Sequence, residues 1–168
     1  ARNGGNKMSG VRKAFIPMLF EEMGKNPDIV IVTGDLGYKQ FDQFRIVYQD
    51  RFINVGASEQ LLMGAGIGLA LDGKIPILYS MTPFLLYRPF EFIRNYVDHE
   101  KIPVKLCGAG RNEDYDWLGW SHWATDDKVH MSGFKNIKKY WPKDGQVMET
   151  QFQEFLYNNT PCYLNLSR

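Results

Sequence analysis

From Asp28 to Thr33 the chain reads Asp-Ile-Val-Ile-Val-Thr, a β-branched run without alternation of polar and apolar residues. A strand with one wet face alternates; a strand with none must be covered on both sides, as in a parallel sheet wrapped by helices. The flanking sequence keeps that rhythm. Helical periodicity runs from Val11 to Met23, where Pro17 is expected to kink the helix or move its effective start. Phe41 to Gln49 reads as a helix, Phe52 to Val55 as a short strand, and Ser58 to Leu71 as a helix stopped by Asp72-Gly73. Ile75 to Ser80 is the next strand, and Pro83 can open a helix running towards His99. Val104 to Gly108 is a strand that leads into a long loop, Arg111 to His122. A short helix near Thr125, a strand around Asn136 to Trp141, a helix from about Gln146 to Tyr157 and a strand Cys162 to Leu166 complete the pattern. Strand and helix in alternation predict an α/β fold: a doubly wound, mostly parallel sheet with helices on both faces. In such sheets ligands gather beyond the carboxyl ends of the strands, and Asp35, Glu59, Phe84 and the loop to His122 all follow predicted strands.

A length of 168 residues with 44% hydrophobic content suits one domain with a substantial core. Ala1 to Met8 are polar and rich in glycine and asparagine, and read as a flexible lead or an expression remnant before a domain over 9–168. The net charge of +1, without a basic block, gives nucleic-acid binding little electrostatic support. No apolar run is long enough to span a bilayer, and none reads as a signal peptide. Cys107 and Cys162 each lie in an apolar strand-like run, which favours buried reduced thiols and a cytoplasmic location. Zinc-type ligand spacing is absent, so no metal ligands are expected on this chain.

The segments with chemical potential lie at the predicted strand ends. Gly56-Ala57-Ser58-Glu59-Gln60 places a carboxylate in the first turn of a helix. Ser58 is suited to cap the orphan amides, and Glu59 suits the positive end of the helix dipole. By itself this is ordinary helix grammar. Asp35, inside Thr33-Gly34-Asp35-Leu36-Gly37, can cap a strand-to-loop turn or face a ligand. Phe84, Tyr87 and Phe90, spaced by three, suit either core packing or one side of an aromatic pocket. His122, in Gly119-Trp120-Ser121-His122, is a loop histidine able to move protons near neutral pH. Arg88 and Arg94 could meet anionic groups, with surface ion pairing as the default. Gly64, Gly66 and Gly68 follow a helix start instead of linking strand to helix, so close helix packing explains them better than a nucleotide loop does.

Taken in order, these segments resemble the pyrimidine-binding domain of transketolase-like thiamine diphosphate enzymes, with a likeness running from about Arg12 to Ser167. The resemblance implies the thiamine diphosphate-binding fold. It implies that Glu59 holds a ring nitrogen of the cofactor's aminopyrimidine, with Tyr87 stacking on the ring and Phe84 and Phe90 as walls. Asp35 and Leu36 match the segment at the thiazolium end, and His122 matches a histidine that faces substrate oxygens, although Trp120 stands where the family usually has proline. The implied activity is carbon–carbon bond cleavage and ketol transfer on sugars or sugar phosphates. Decarboxylation of a 2-oxo acid is the enzymatic alternative, and a non-catalytic regulatory subunit of the same fold is the other. The family's Gly-Asp-Gly magnesium segment does not occur in these 168 residues. The resemblance therefore implies a partner subunit that carries the diphosphate domain and magnesium, in a heterotetramer with two copies of each, unless the chain is a fragment of a longer protein. The acidic aromatic run Asn112-Glu113-Asp114-Tyr115-Asp116-Trp117 hints at a substrate less anionic than a sugar phosphate, though a solvated loop is the simpler reading.

Overall fold

The computed structural model describes residues 10–168; the expected lead, 1–8, lies outside the described residues. Helix α1 (Val11–Lys25) precedes β1 (Ile29–Thr33), followed by α2 (Asp42–Val47), β2 (Phe52–Asn54), α3 (Glu59–Leu71) and β3 (Ile75–Met81). Next come α4 (Thr82–Tyr87), α5 (Phe90–Phe92), a π-helical segment (Ile93–His99) and β4 (Lys105–Ala109). Helix α6 (Asp127–Ser132), β5 (Lys138–Tyr140), α7 (Gly145–Tyr157) and β6 (Cys162–Leu166) end the fold. Among the described residues the six strands form one sheet in the order β2-β1-β3-β4-β6-β5, and every pairing is parallel.

Two apolar layers flank this sheet, and strand periodicity sorts side chains between them. Ile29, Ile31, Ile77, Tyr79, Cys107 and Leu164 face the layer built by Phe15, Leu19, Phe152 and Phe155 of α1 and α7. Val32, Leu78, Leu106 and Tyr163 point the other way, against Leu62, Met63 and Ile67 of α3 and Leu85 and Leu86 of α4. Successive residues of a strand face opposite sides, so a run such as Ile29–Thr33 feeds both layers and needs no polar face. Phe15, Leu19 and Ile31 are fully withdrawn from water, each contributing about 1.5–3 kcal/mol of hydrophobic stabilisation. Cys107 and Cys162 are both free and buried, and burial pushes both thiols up.

Several local expectations are corrected. Pro17 lies inside α1 without moving its start from Val11. The helix opened by Pro83 does not run unbroken to His99. It pauses at Arg88-Pro89, resumes at Phe90 and widens into a π-helix, because a proline lacks the amide donor and crowds the carbonyl four residues back. The short helix expected near Thr125 starts at Asp127. Ser58 occupies the N-cap of α3, but with ψ of 84° its hydroxyl makes no capping bond. Of the three glycines in α3, close packing governs Gly66, where an added Cβ would lie 2.3 Å from the Leu78 side chain; Gly68 faces open space.

Candidate functional site

The parallel strands deliver their carboxyl ends to one rim, and the expected site residues lie along it. After β1 the chain turns at Asp35, held at a φ of 58°, a left-handed conformation that most side chains avoid. Asn54, the last residue of β2, secures this turn: its side-chain oxygen accepts from the amides of Asp35 (2.9 Å) and Gly56 (3.0 Å). Its amide group donates to Asp35 Oδ1 at 3.3 Å. Leu36 packs against the core beneath. Beside it, a cavity of about 200 Å³ is lined by Arg12, Asp35, Leu36, Tyr79, Met81 and Tyr115 among others. Arg12 donates to the Tyr115 hydroxyl at 2.5 Å, and burial pushes the Tyr79 phenol up to about 12.

Glu59 opens α3 and is only 5% exposed. Its carboxylate accepts a hydrogen bond from Arg88 Nη1 at 2.9 Å. The guanidinium carbon of Arg88 lies 3.7 Å from the centre of the Phe84 ring, and Phe84 meets the His122 ring edge-on at 4.9 Å. Glu59, Arg88, Phe84 and His122 therefore form one contiguous group. Ser121 Oγ and His122 Nδ1 are 3.0 Å apart and share a hydrogen bond whose direction depends on the imidazole tautomer.

Tyr87 and Phe90 belong to a neighbouring group. Both rings pack on His130, at 4.7 and 5.2 Å, and the Tyr87 hydroxyl donates to Asp126 Oδ1 at 2.5 Å. Burial, followed by the adjacent Asp126 carboxylate, raises the Tyr87 phenol, and burial lowers the His130 imidazole. The break at Pro89 separates the axis of Phe90 from that of Phe84, which is why spacing alone did not reveal the division. Arg94 donates to Asn95 Oδ1 instead of entering either group.

Beneath both groups lies a buried polar network that the sequence reading missed. Asp127 Oδ2 accepts from Trp141 Nε1 (2.8 Å), the Tyr163 hydroxyl (2.8 Å) and Asn165 Nδ2 (3.0 Å). Asn165 Oδ1 accepts from Arg111 Nε at 2.7 Å, and Arg111 also donates to the carbonyls of Asn165 and Pro142. Thr82 Oγ1 and Asn165 Nδ2 both donate to the Gly110 carbonyl, at 2.7 and 3.0 Å. The network ties the end of β4, the start of α4, the start of α6 and β6 together. Its one sequence signal is an asparagine inside the apolar strand Cys162-Tyr163-Leu164-Asn165-Leu166.

The donor set fits an aminopyrimidine. A nearly buried carboxylate can hold a ring nitrogen, and the face of Phe84 can pack against a flat heterocycle. Among the described residues no three His, Cys, Asp or Glu side chains gather as a metal site, and no helix is long and apolar enough to cross a membrane.

Residues 7–168 match the family model described as transketolase, pyrimidine binding domain. A protein of Actinobacillus succinogenes, named as one of the two subunits of an apulose-4-phosphate transketolase, is 38% identical over 120 residues, covering 71% of this chain and 38% of that protein. Its namesake from Phocaeicola vulgatus is 26% identical over 164 residues, covering 97% and 53% respectively. A solved split gene transketolase, described as an inactive beta4 tetramer, superposes with a TM-score of 0.83 at 30% identity, over 95% of this chain and 51% of the other. The chain spans about half the length of these relatives, or less.

Proposed function

The chain belongs to the transketolase pyrimidine-binding domain family, and from that premise we propose that it is part of a split thiamine diphosphate-dependent transketolase-like enzyme, supplying the half of the site that receives the aminopyrimidine. The observation that carries this reading is Glu59: a carboxylate 5% exposed, at the carboxyl-end rim of the sheet, within one contact chain of Phe84 and His122. Thiamine diphosphate, when bound, supplies the electron sink needed to break a carbon–carbon bond beside a carbonyl.

This chain's residues do the rest of the work on their side. Glu59 holds a proton at the pyrimidine ring nitrogen and so sets the ring's tautomer. Phe84 packs against the ring, while Tyr87 and Phe90 wall the pocket on the His130 side. Asp35 and Leu36 border the end of the site that faces the thiazolium. His122, half-buried at the edge of Phe84, moves protons at substrate oxygens. Asp127 and Asn165 fix the segments that carry Phe84 and His122.

Magnesium and the diphosphate belong, in this reading, to a partner subunit with a Gly-Asp-Gly segment, and the assembly holds two copies of each. Ketol transfer between sugars or sugar phosphates is the proposed reaction; the relatives named for apulose-4-phosphate transketolase support that class. Calorimetry with thiamine diphosphate and magnesium tests the reading, on the chain alone and on its complex with the co-expressed partner. Binding that requires the complex is the expected result. A stable complex that binds no cofactor would overturn the assignment and leave a regulatory role.

A further inference from the structure

The group around Glu59 already holds a flat, nitrogen-bearing plane. The Arg88 guanidinium lies over the Phe84 ring at 3.7 Å and gives one N–H to Glu59 Oε1 at 2.9 Å. A guanidinium is planar, delocalised and rich in donors along its edge, and it stacks on aromatic faces. An aminopyrimidine held by Glu59 and Phe84 would need the same two surfaces: the ring face and the carboxylate edge. Two flat groups cannot share them. The burial of the pair is also uneven, because the Glu59 side chain is 5% exposed and that of Arg88 is 47% exposed. The arginine is thus the solvent side of the contact, and it can leave without dragging buried structure behind it. Glu59 cannot.

We infer that Arg88 is a place-holder for the cofactor ring: its guanidinium occupies the Phe84 face and the Glu59 carboxylate in the free chain, and the aminopyrimidine must displace it to bind. The inference rests on the reading of Glu59 and Phe84 as the ring's binding surfaces. Its physical basis is the cost of a buried carboxylate without a partner, which is larger than the net gain from pairing it. Arg88 satisfies Glu59 before the ring arrives and keeps the aromatic face covered. The ring then meets a population in which competent sites are the minority, and its apparent affinity falls by that fraction. The position of Arg88 suits a movable group, since it is the C-cap of α4 and is followed by the break at Pro89.

The test uses the intact chain and the free ring, 4-amino-5-hydroxymethyl-2-methylpyrimidine, which carries neither phosphates nor metal. Nitrogen-15 NMR of the Arg88 Nε–H group, assigned by its loss in Arg88→Lys, should show a ring-current shift in the free chain. That signal should move towards the position of a solvated arginine as the ring is titrated in. Arg88→Ala should bind the ring about tenfold more tightly than the unaltered chain, and Arg88→Lys, which keeps the charge but not the plane, should fall between. Equal affinity in the unaltered chain and Arg88→Ala, with an unmoved resonance, overturns displacement while leaving the ring site intact. Weaker binding by Arg88→Ala makes the arginine part of the ring's own site, and also overturns it. If neither form binds the ring, there is no preformed ring site for Arg88 to occupy and the place-holder falls; the cofactor reading is then judged separately, by calorimetry on the complex.

Discussion

The two polar regions at the carboxyl-end rim are built on opposite terms. In the lower network, Asp127 Oδ2 has three donors, Asn165 bonds through both ends of its amide, and Arg111 reaches three acceptors. Asp127 and Asn165 are 3% and 0% exposed. In the upper group, Glu59 is nearly as buried, yet among the described residues its side chain has one partner, Arg88, and that of His122 has only Ser121. The two regions differ in spare bonding capacity more than in burial. A saturated network fixes backbone segments in one arrangement, because any rearrangement strands several polar groups at once. An under-coordinated carboxylate beside an aromatic face keeps capacity for a ligand. The lower region is scaffold and the upper region is tool.

That contrast can be broken by experiment. The largest effect expected is on the tool: Glu59→Gln should leave the melting temperature nearly unchanged and lower turnover of the assembled enzyme about a thousandfold. Turnover close to that of the unaltered enzyme would remove Glu59 from the chemistry. Next comes the scaffold. Asp127→Ala strands three buried donors and should cost about 3 kcal/mol, a fall of roughly 6–12 °C in melting temperature by calorimetric scanning. A variant that melts like the parent would show that the network is decorative. The smallest effect sharpens the division within the tool itself. His122→Ala should reduce turnover about a hundredfold while leaving cofactor affinity almost intact. Collapse of cofactor binding in that variant would move His122 from the substrate side to the cofactor side.

The core of the fold could be read from the chain because burial on two faces leaves a plain trace. Ile29–Thr33 and Cys162–Leu166 are apolar runs of strand length, and both are strands. The rim could be read as well, since residues that follow strands in such a sheet converge whatever their identity. Local geometry within the rim was less accessible. Ser58 had the right side chain for a cap but not the backbone angle, and Pro89 divided an aromatic series that looked continuous. Asp127 and Arg111 looked like loop residues. Their role depends on Tyr163 and Asn165, which lie 36 and 38 positions from Asp127 along the chain.

The sequence alone thus determined the α/β architecture, the parallel sheet, the rim on which Asp35, Glu59, Phe84 and His122 stand, and the likeness that family membership bears out. These properties follow from local periodicity and short contiguous motifs, which act over a turn of helix or a few residues of strand. Tertiary structure decided which side chains share contacts. It put Arg88 on Glu59 and Phe84, turned Tyr87 and Phe90 towards His130, and joined Asp127 to Asn165. Pairings of that kind depend on crossovers that bring distant segments to one edge and on which buried polar group finds a partner there. No periodicity in the chain encodes them.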